Sequence, residues 1–452
     1  MAGTPRGLPA VRQGHHLSPD NRIDPVHAHR VVTTHSNSGQ PGSLGPVTEG
    51  VPKRLRRPTP RTHPEGVLSK PGVAATAAPS EQFSFDLKPA DIARYLGRFV
   101  IGQAEAKKVL SVALCDHFQH VRMTLEGAEA PFYQKQNVLL LGPTGVGKTH
   151  LIRSAAELIG VPFVKADATK FSETGYVGGD VDDLVRDLVR KAGGNAKKAS
   201  HGIIYLDEVD KLATRGEAGT RDVSGRGVQT NLLKLMEDGD VPLVSPNDMT
   251  GQLQAAMTAM RGGGPPQSET INTQHILFIV SGAFSGMDQI IRRRLEMDHH
   301  RHPEIHPRIP KTAGLDWFYE RASTADLIGY GLEPEFIGRL PVRVACHGLD
   351  EDDLFNVLRK SESSLIHQYE RAFAAYGITC DFRDEGLRRL AQRASTENTG
   401  ARGLMTVCER VFRDLKFKLP SSRVKRFAVT KTLVDDPAAE LRRLLKSGAG
   451  DA

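Results

Sequence analysis

Asn137 to Thr149 reads NVLLLGPTGVGKT, and these residue types at this spacing can bind a polyphosphate. Gly142, Gly145 and Gly147 let successive backbone N–H groups turn toward anionic oxygens. Lys148 reaches β- and γ-phosphates, and the Thr149 hydroxyl is suited to Mg²⁺. Pro143, Thr144, Val146 and the following His150 complete the stretch expected to line the nucleotide. A second signal is HGIIYLDE at 201–208, an apolar run that ends in two acids. Asp207 would hold Mg²⁺ through water and Glu208 would polarise the attacking water, which turns ATP binding into ATP hydrolysis.

Such residues need elements to hold them. Val138–Leu141 reads as a short buried strand that runs into a helix, whose positive end faces the same anion. The apolar part of 201–208 is a second buried strand, and its C-terminal edge is where open α/β sheets bind ligands. Pro162–Lys165 and His275–Ser281 add strands, and 88–98, the segment after Gln103, and 226–236 have helical spacing. Val100 and Ile101, between the first two helices, are expected as apolar contacts over the nucleotide base. In Ser172–Asp180, Tyr176 and Val177 stand between glycines as an apolar pair presented by a loop. Residues 248–273 form a polar insertion with a short helix expected near 253–260, and 333–341 place Arg339 between a helix and a strand. Beyond 346 come helical spacing over 351–373, a strand at 378–382, helices at 385–393 and 401–419, and a closing strand at 424–429. The expected fold is α/β: a large phosphate-loop domain at 85–345, a small C-terminal lid domain at 346–440 and a frayed end at 441–452.

The chain has 452 residues and a net charge of +7, with ten basic against four acidic residues in its first 80. That basic excess belongs to a Pro-, Gly-, Ser- and His-rich stretch, 1–84, too poor in large apolar residues to offset chain entropy and therefore expected to be a disordered tail. The rest is nearly neutral, which argues against nucleic-acid binding by the folded part. Cys115, Cys346, Cys380 and Cys408 are far apart and suggest neither a zinc site nor a disulfide framework. No apolar run approaches the roughly 20 residues of a membrane span, and no secretory signal is seen, so a cytoplasmic location and no membrane partner are expected.

The motifs together resemble the ClpX family of AAA+ protein unfoldases. The likeness rests on VIGQ at 100–103, GPTGVGKT at 142–149, GYVG at 175–178, YLDEVDK at 205–211, RDVSGRGVQ at 221–229, SGAF at 281–284, EFIGRLP at 335–341 and TGARGL at 399–404. The related HslU family shares several of these, and ATKFSETGYVG at 168–178 is HslU-like. HslU, however, carries a long intermediate domain before the acidic strand, where this chain has a short segment. The resemblance implies a hexameric ring ATPase that threads unfolded or tagged proteins through its pore, with Tyr176 and Val177 gripping the polypeptide. It also implies Arg339 as a finger reaching a neighbour's γ-phosphate and Arg402 as the sensor coupling the small domain to nucleotide. A nucleic-acid motor or loader using the basic tail is the alternative, and it predicts strongly salt-dependent binding.

Three departures from the family pattern bear on partners. The N-terminal Cys-based zinc domain is not found, and the basic Arg-Lys-His pore loop is replaced by Met257–Thr273. The Ile-Gly-Phe loop that docks a Clp-type peptidase is replaced by a His-rich loop at 298–307, so feeding a Clp-type peptidase stays an open expectation that the sequence does not secure.

Overall fold

Strands buried on both faces read as unbroken apolar runs, because helices cover each side of the sheet. The computed structural model describes residues 83–128, 133–172, 179–213, 223–243 and 270–447. Helices α1 (Pro89–Phe99) and α2 (Ala104–Leu125) lead into strand β1 (Val138–Leu141), helix α3 (Lys148–Ile159) and strand β2 (Phe163–Asp167). Next come α4 (Asp183–Lys191), the single turn α5 (Ala196–Ala199), β3 (Ile203–Asp207), α6 (Val223–Met236) and the antiparallel pair β4 (Asp240–Pro242) and β5 (Thr270–Asn272). They are followed by β6 (Leu277–Gly282), α7 (Met287–Arg301), the short helices α8 (Leu315–Tyr319), α9 (Thr324–Tyr330) and α10 (Pro334–Gly338), and β7 (Val342–Ala345).

Among the described residues the main sheet runs β2-β3-β6-β1-β7, and its paired strands are parallel. Side chains alternate between its faces. Val138, Leu140, Ile203, Tyr205 and Ile279 pack under α1, α2 and α3, whereas Leu139, Leu141, Ile204, Leu206 and Val280 face α4, α6 and α7. Each fully buried aliphatic side chain contributes roughly 1.5–3 kcal/mol, so the sheet is a firm platform for the loops at its C-terminal edge.

From Glu351 the chain builds a second core. It consists of α11 (Glu351–Lys360), α12 (Leu365–Ala374), β8 (Thr379–Phe382), α13 (Asp384–Thr396), α14 (Ala401–Lys418), β9 (Arg426–Val429), α15 (Lys431–Asp435) and α16 (Pro437–Ser447). Strands β8 and β9 pair in parallel, and Leu390, Phe412, Leu415 and Leu433 are fully buried.

Some sequence boundaries need correction. The helical spacing of 351–373 is two helices, because Ser361–Ser364 divert the chain: Ser364 caps α12 and the Ser361 hydroxyl donates to the Phe99 carbonyl. Fraying from 441 is not what is found, since α16 continues to Ser447 and buries Leu441 in the second core. Phe83, assigned to the tail by composition, packs on Phe118 and His201. The His-rich loop begins as the last turn of α7, which carries His299 and His300, and His299 pairs with the His306 carbonyl at 2.6 Å. Tyr176, Val177, the short helix expected at 253–260 and the tail before Phe83 lie outside the described residues.

Candidate active site

The turn from β1 to α3 holds Gly142, Gly145 and Gly147 at left-handed φ values of 152°, 82° and 97°. A Cβ on Gly142 would strike the Cys346 carbonyl, and one on Gly145 the Thr399 carbonyl. The Gly145 carbonyl also accepts from the Ala401 N–H at 2.9 Å. The outer side of the loop is therefore committed to packing against the segments after β7 and before α14, and its inner side, with the positive end of α3, is left for an anion.

Lys148, 9% exposed, donates from Nζ to the carbonyls of Gly142 at 2.6 Å and Pro143 at 2.9 Å. Burial holds its pKa below the ordinary lysine value, and the nearby charges of Asp207 and Asp210 oppose that shift.

Thr149, on the first turn of α3, donates to Asp207 Oδ2 at 3.1 Å. Ser281, brought alongside by β6, donates to Asp207 Oδ1 at 2.7 Å, and the buried Tyr205 hydroxyl lies 2.7 Å from Ser281 Oγ and 3.3 Å from Thr149 Oγ1. Lys165 of β2 stands 3.0 Å from Asp207 Oδ2. Burial alone would raise the Asp207 pKa, but the hydrogen bonds from Ser281 and Lys165 outweigh it and hold the carboxyl below its usual range. Glu208 follows at φ 61°, a left-handed setting for a non-glycine residue that costs about 1 kcal/mol and turns its exposed side chain toward the cleft.

Gly145, Gly147, Lys148, Thr149, Asp207 and Glu208 line a cleft of about 730 Å³ between the sheet edge and the second core. Val100 and Ile101 form an apolar wall with Leu349 and Val357, and His150 lies nearby with its Nε2 2.7 Å from Ser363 Oγ. Arg402, in the first turn of α14, borders the opposite side. Arg339 does not line this cleft. It caps the C-terminus of α10, about half exposed, with its guanidinium 2.5 Å from Glu237.

Several participants were given no role by the sequence. Lys165 and Ser281 reach Asp207 only through strand register, and Asp210, 3% exposed, lines the cleft with one carboxylate oxygen that accepts no hydrogen bond and lies 3.9 Å from the Lys211 ammonium. Asn137, 1% exposed, donates to the carbonyls of Met236 and Arg339 and accepts from Phe278 N–H, so it fixes the backbone at Arg339.

The residues fit a nucleotide with a divalent cation. A glycine cradle that tolerates no Cβ suits phosphate oxygens, and the Thr149 hydroxyl beside an ionised Asp207 supplies the oxygen ligands that Mg²⁺ prefers. Residues 133–343 match the family described as AAA domain (Cdc48 subfamily). Together with the sheet order and cleft, this places the protein among AAA+ phosphate-loop ATPases. The chain is 40% identical over 352 residues to the ATP-dependent Clp protease ATP-binding subunit ClpX of Borrelia duttonii, covering 76% of this chain and 78% of that protein. It is 38% identical over 366 residues to the ATP-dependent Clp protease ATP-binding subunit ClpX 3 of Methylococcus capsulatus, covering 78% and 81%. The chain belongs to the ClpX family of ATP-dependent protein unfoldases.

Proposed function

We propose that ATP hydrolysis by this chain draws polypeptides through the pore of a hexameric ring built from copies of it. The observation that carries this reading is the separation of Arg339 from its own cleft. Lys148, Thr149, Asp207, Glu208 and Arg402 border one cavity, while Arg339 stands half exposed outside it on Glu237. A guanidinium so placed acts at a neighbour's cleft, stabilising the charge that develops on the transferred phosphoryl group.

Within one subunit, Lys148 holds the β/γ-phosphates, Val100 and Ile101 cover the base, and Glu208 orients the attacking water and takes its proton. Thr149, and Asp207 through water, would hold Mg²⁺, which would neutralise charge on the phosphate oxygens. Arg402 senses the phosphates from α14. Residues 85–345 and 346–440 then act as the large and small moving parts, closing on the cleft between them. Tyr176 and Val177 grip the substrate. Their loop leaves and re-enters the described chain at a narrow neck, where Phe171 bridges Gly179 and Gly179 N–H donates to the Lys170 carbonyl at 3.0 Å.

Among the described residues no helix is long and apolar enough to cross a membrane. The curated relatives are named as ATP-binding subunits of Clp protease. We assign no peptidase-docking role to the segment after α7, where exposed Ile305 lies among histidines.

The test is ATP-dependent unfolding of a tagged fluorescent protein, run with and without a Clp-type peptidase, for wild type, Tyr176→Ala and Glu208→Gln. Both changes abolish unfolding if the reading is right. Mixing Arg339→Ala with Lys148→Ala subunits restores part of the ATPase activity, because intact clefts then meet intact fingers. No recovery on mixing, or unfolding that survives Tyr176→Ala, refutes the arrangement.

A further inference from the structure

Lys165 lies within β2, the edge strand, and pairs in register with Tyr205 of β3. Side chains two apart on a strand share a face, so Lys165 extends over the surface that also carries Tyr205 and Asp207. Its ammonium lies 3.0 Å from Asp207 Oδ2, donates to Thr149 Oγ1 at 3.3 Å and passes 5.8 Å from the Tyr205 ring centre. The side chain is 35% exposed and that of Asp207 17%. Both contacts fall on one pair of oxygens, Thr149 Oγ1 and Asp207 Oδ2, which are themselves joined at 3.1 Å.

We infer that Lys165 is a tethered counter-cation at the metal site, a positioning residue whose ammonium competes with the divalent ion for these two oxygens and so sets the metal concentration the ATPase needs. This rests on the reading that Thr149 and Asp207 hold Mg²⁺. A magnesium ion would take the Thr149 hydroxyl as a ligand and reach Asp207 through one of the waters it keeps, so both oxygens would turn toward it. An ammonium uses the same lone pairs at hydrogen-bond distance, and two cations on one such pair repel in a partly buried site. The metal therefore binds as the lysine yields, and the negative charge of the nucleotide phosphates tips that exchange toward the metal. The lysine's flexible four-carbon stem lets the displaced ammonium stay near the phosphates. Before exchange it keeps Asp207 ionised and the Thr149 hydroxyl aimed at the carboxylate.

The experiment titrates Mg²⁺ against the full-length protein at fixed, subsaturating fluorescent ADP, and follows Mn²⁺ binding by electron paramagnetic resonance. Wild type, Lys165→Met, Lys165→Gln, Lys165→Arg and Asp207→Asn are compared. The half-saturating metal concentration falls roughly two- to fivefold in Lys165→Met and Lys165→Gln, the scale of one partly exposed ion pair. It stays near wild type in Lys165→Arg, which retains the charge. Metal requirements unchanged or raised in both neutral variants, with Asp207→Asn raised, overturn the role of Lys165 and leave the metal reading standing. An Asp207→Asn protein with wild-type metal requirement overturns the metal reading itself, and the inference with it.

Discussion

Replacing Gly145 with alanine tests whether the phosphate loop is held from behind. At φ 82° a side chain costs about 1–2 kcal/mol. The new methyl also meets the Thr399 carbonyl and pushes apart the loop and the start of α14, breaking the 2.9 Å bond from Ala401 N–H to the Gly145 carbonyl. That bond is worth about 1 kcal/mol. The expected total is about 2–3 kcal/mol in stability, and the part that reaches nucleotide affinity is the lost bond between loop and α14, about 1 kcal/mol or roughly a fivefold weaker binding. Gly160, the C-cap of α3, is the control: its φ is 78°, but nothing lies within 4 Å of a built Cβ. Gly160→Ala should lower thermal stability by the backbone term alone and leave nucleotide binding near wild type. Equilibrium titration with a fluorescent ADP and thermal unfolding by circular dichroism separate the two effects. A Gly145→Ala protein within about twofold of wild-type affinity would refute the loop-to-α14 coupling.

Other changes reach the fold beneath the site. Asn137→Ala leaves the Phe278 N–H and the carbonyls of Met236 and Arg339 without their side-chain partner, and should cost about 2–4 kcal/mol in chemical denaturation while lowering ring ATPase activity through a loosened Arg339. Stability should also fall toward acid pH: burial depresses His117 to about 3 and His201 to about 4, so unfolding releases imidazoles that bind protons near the ordinary value of 6.5. With folded pKa values below the unfolded ones, the contribution is fully present above about pH 6.5 and is lost as pH falls toward 4 and 3. For His117 the slope approaches about 1.4 kcal/mol per pH unit. His117→Gln should flatten the dependence in urea titrations between pH 4 and 6, and an unchanged slope would count against the assignment.

Much of the site was legible because its chemistry is written locally. Eight consecutive residues set the phosphate loop, and an apolar run ending in Asp207-Glu208 sets the acidic edge, so each could be recognised before any tertiary contact was known. Lys165 and Ser281 were not legible, since each meets Asp207 only through strand order and register. Asn137 precedes the loop motif, but nothing in its neighbourhood in sequence shows that it grips the backbone of Arg339. The break at Ser361–Ser364 escaped periodicity because the apolar spacing resumes almost in phase. What interrupts the helix is a hydrogen bond to Phe99, distant in sequence.

The cleft draws its walls from both ends of the chain, from Val100 to Arg402, and α1 is riveted to the α11–α12 turn by Arg98 on Glu362 at 2.5 Å and by Ser361 on the Phe99 carbonyl at 2.7 Å. A chain emerging from the ribosome thus completes its phosphate loop well before it completes a place for nucleotide, because the second wall is synthesised last. Contacts this distant in sequence are slow to form. Nucleotide then rewards only the finished subunit, and ligand binding becomes a checkpoint on synthesis that a truncated chain, with its loop motif intact, does not pass.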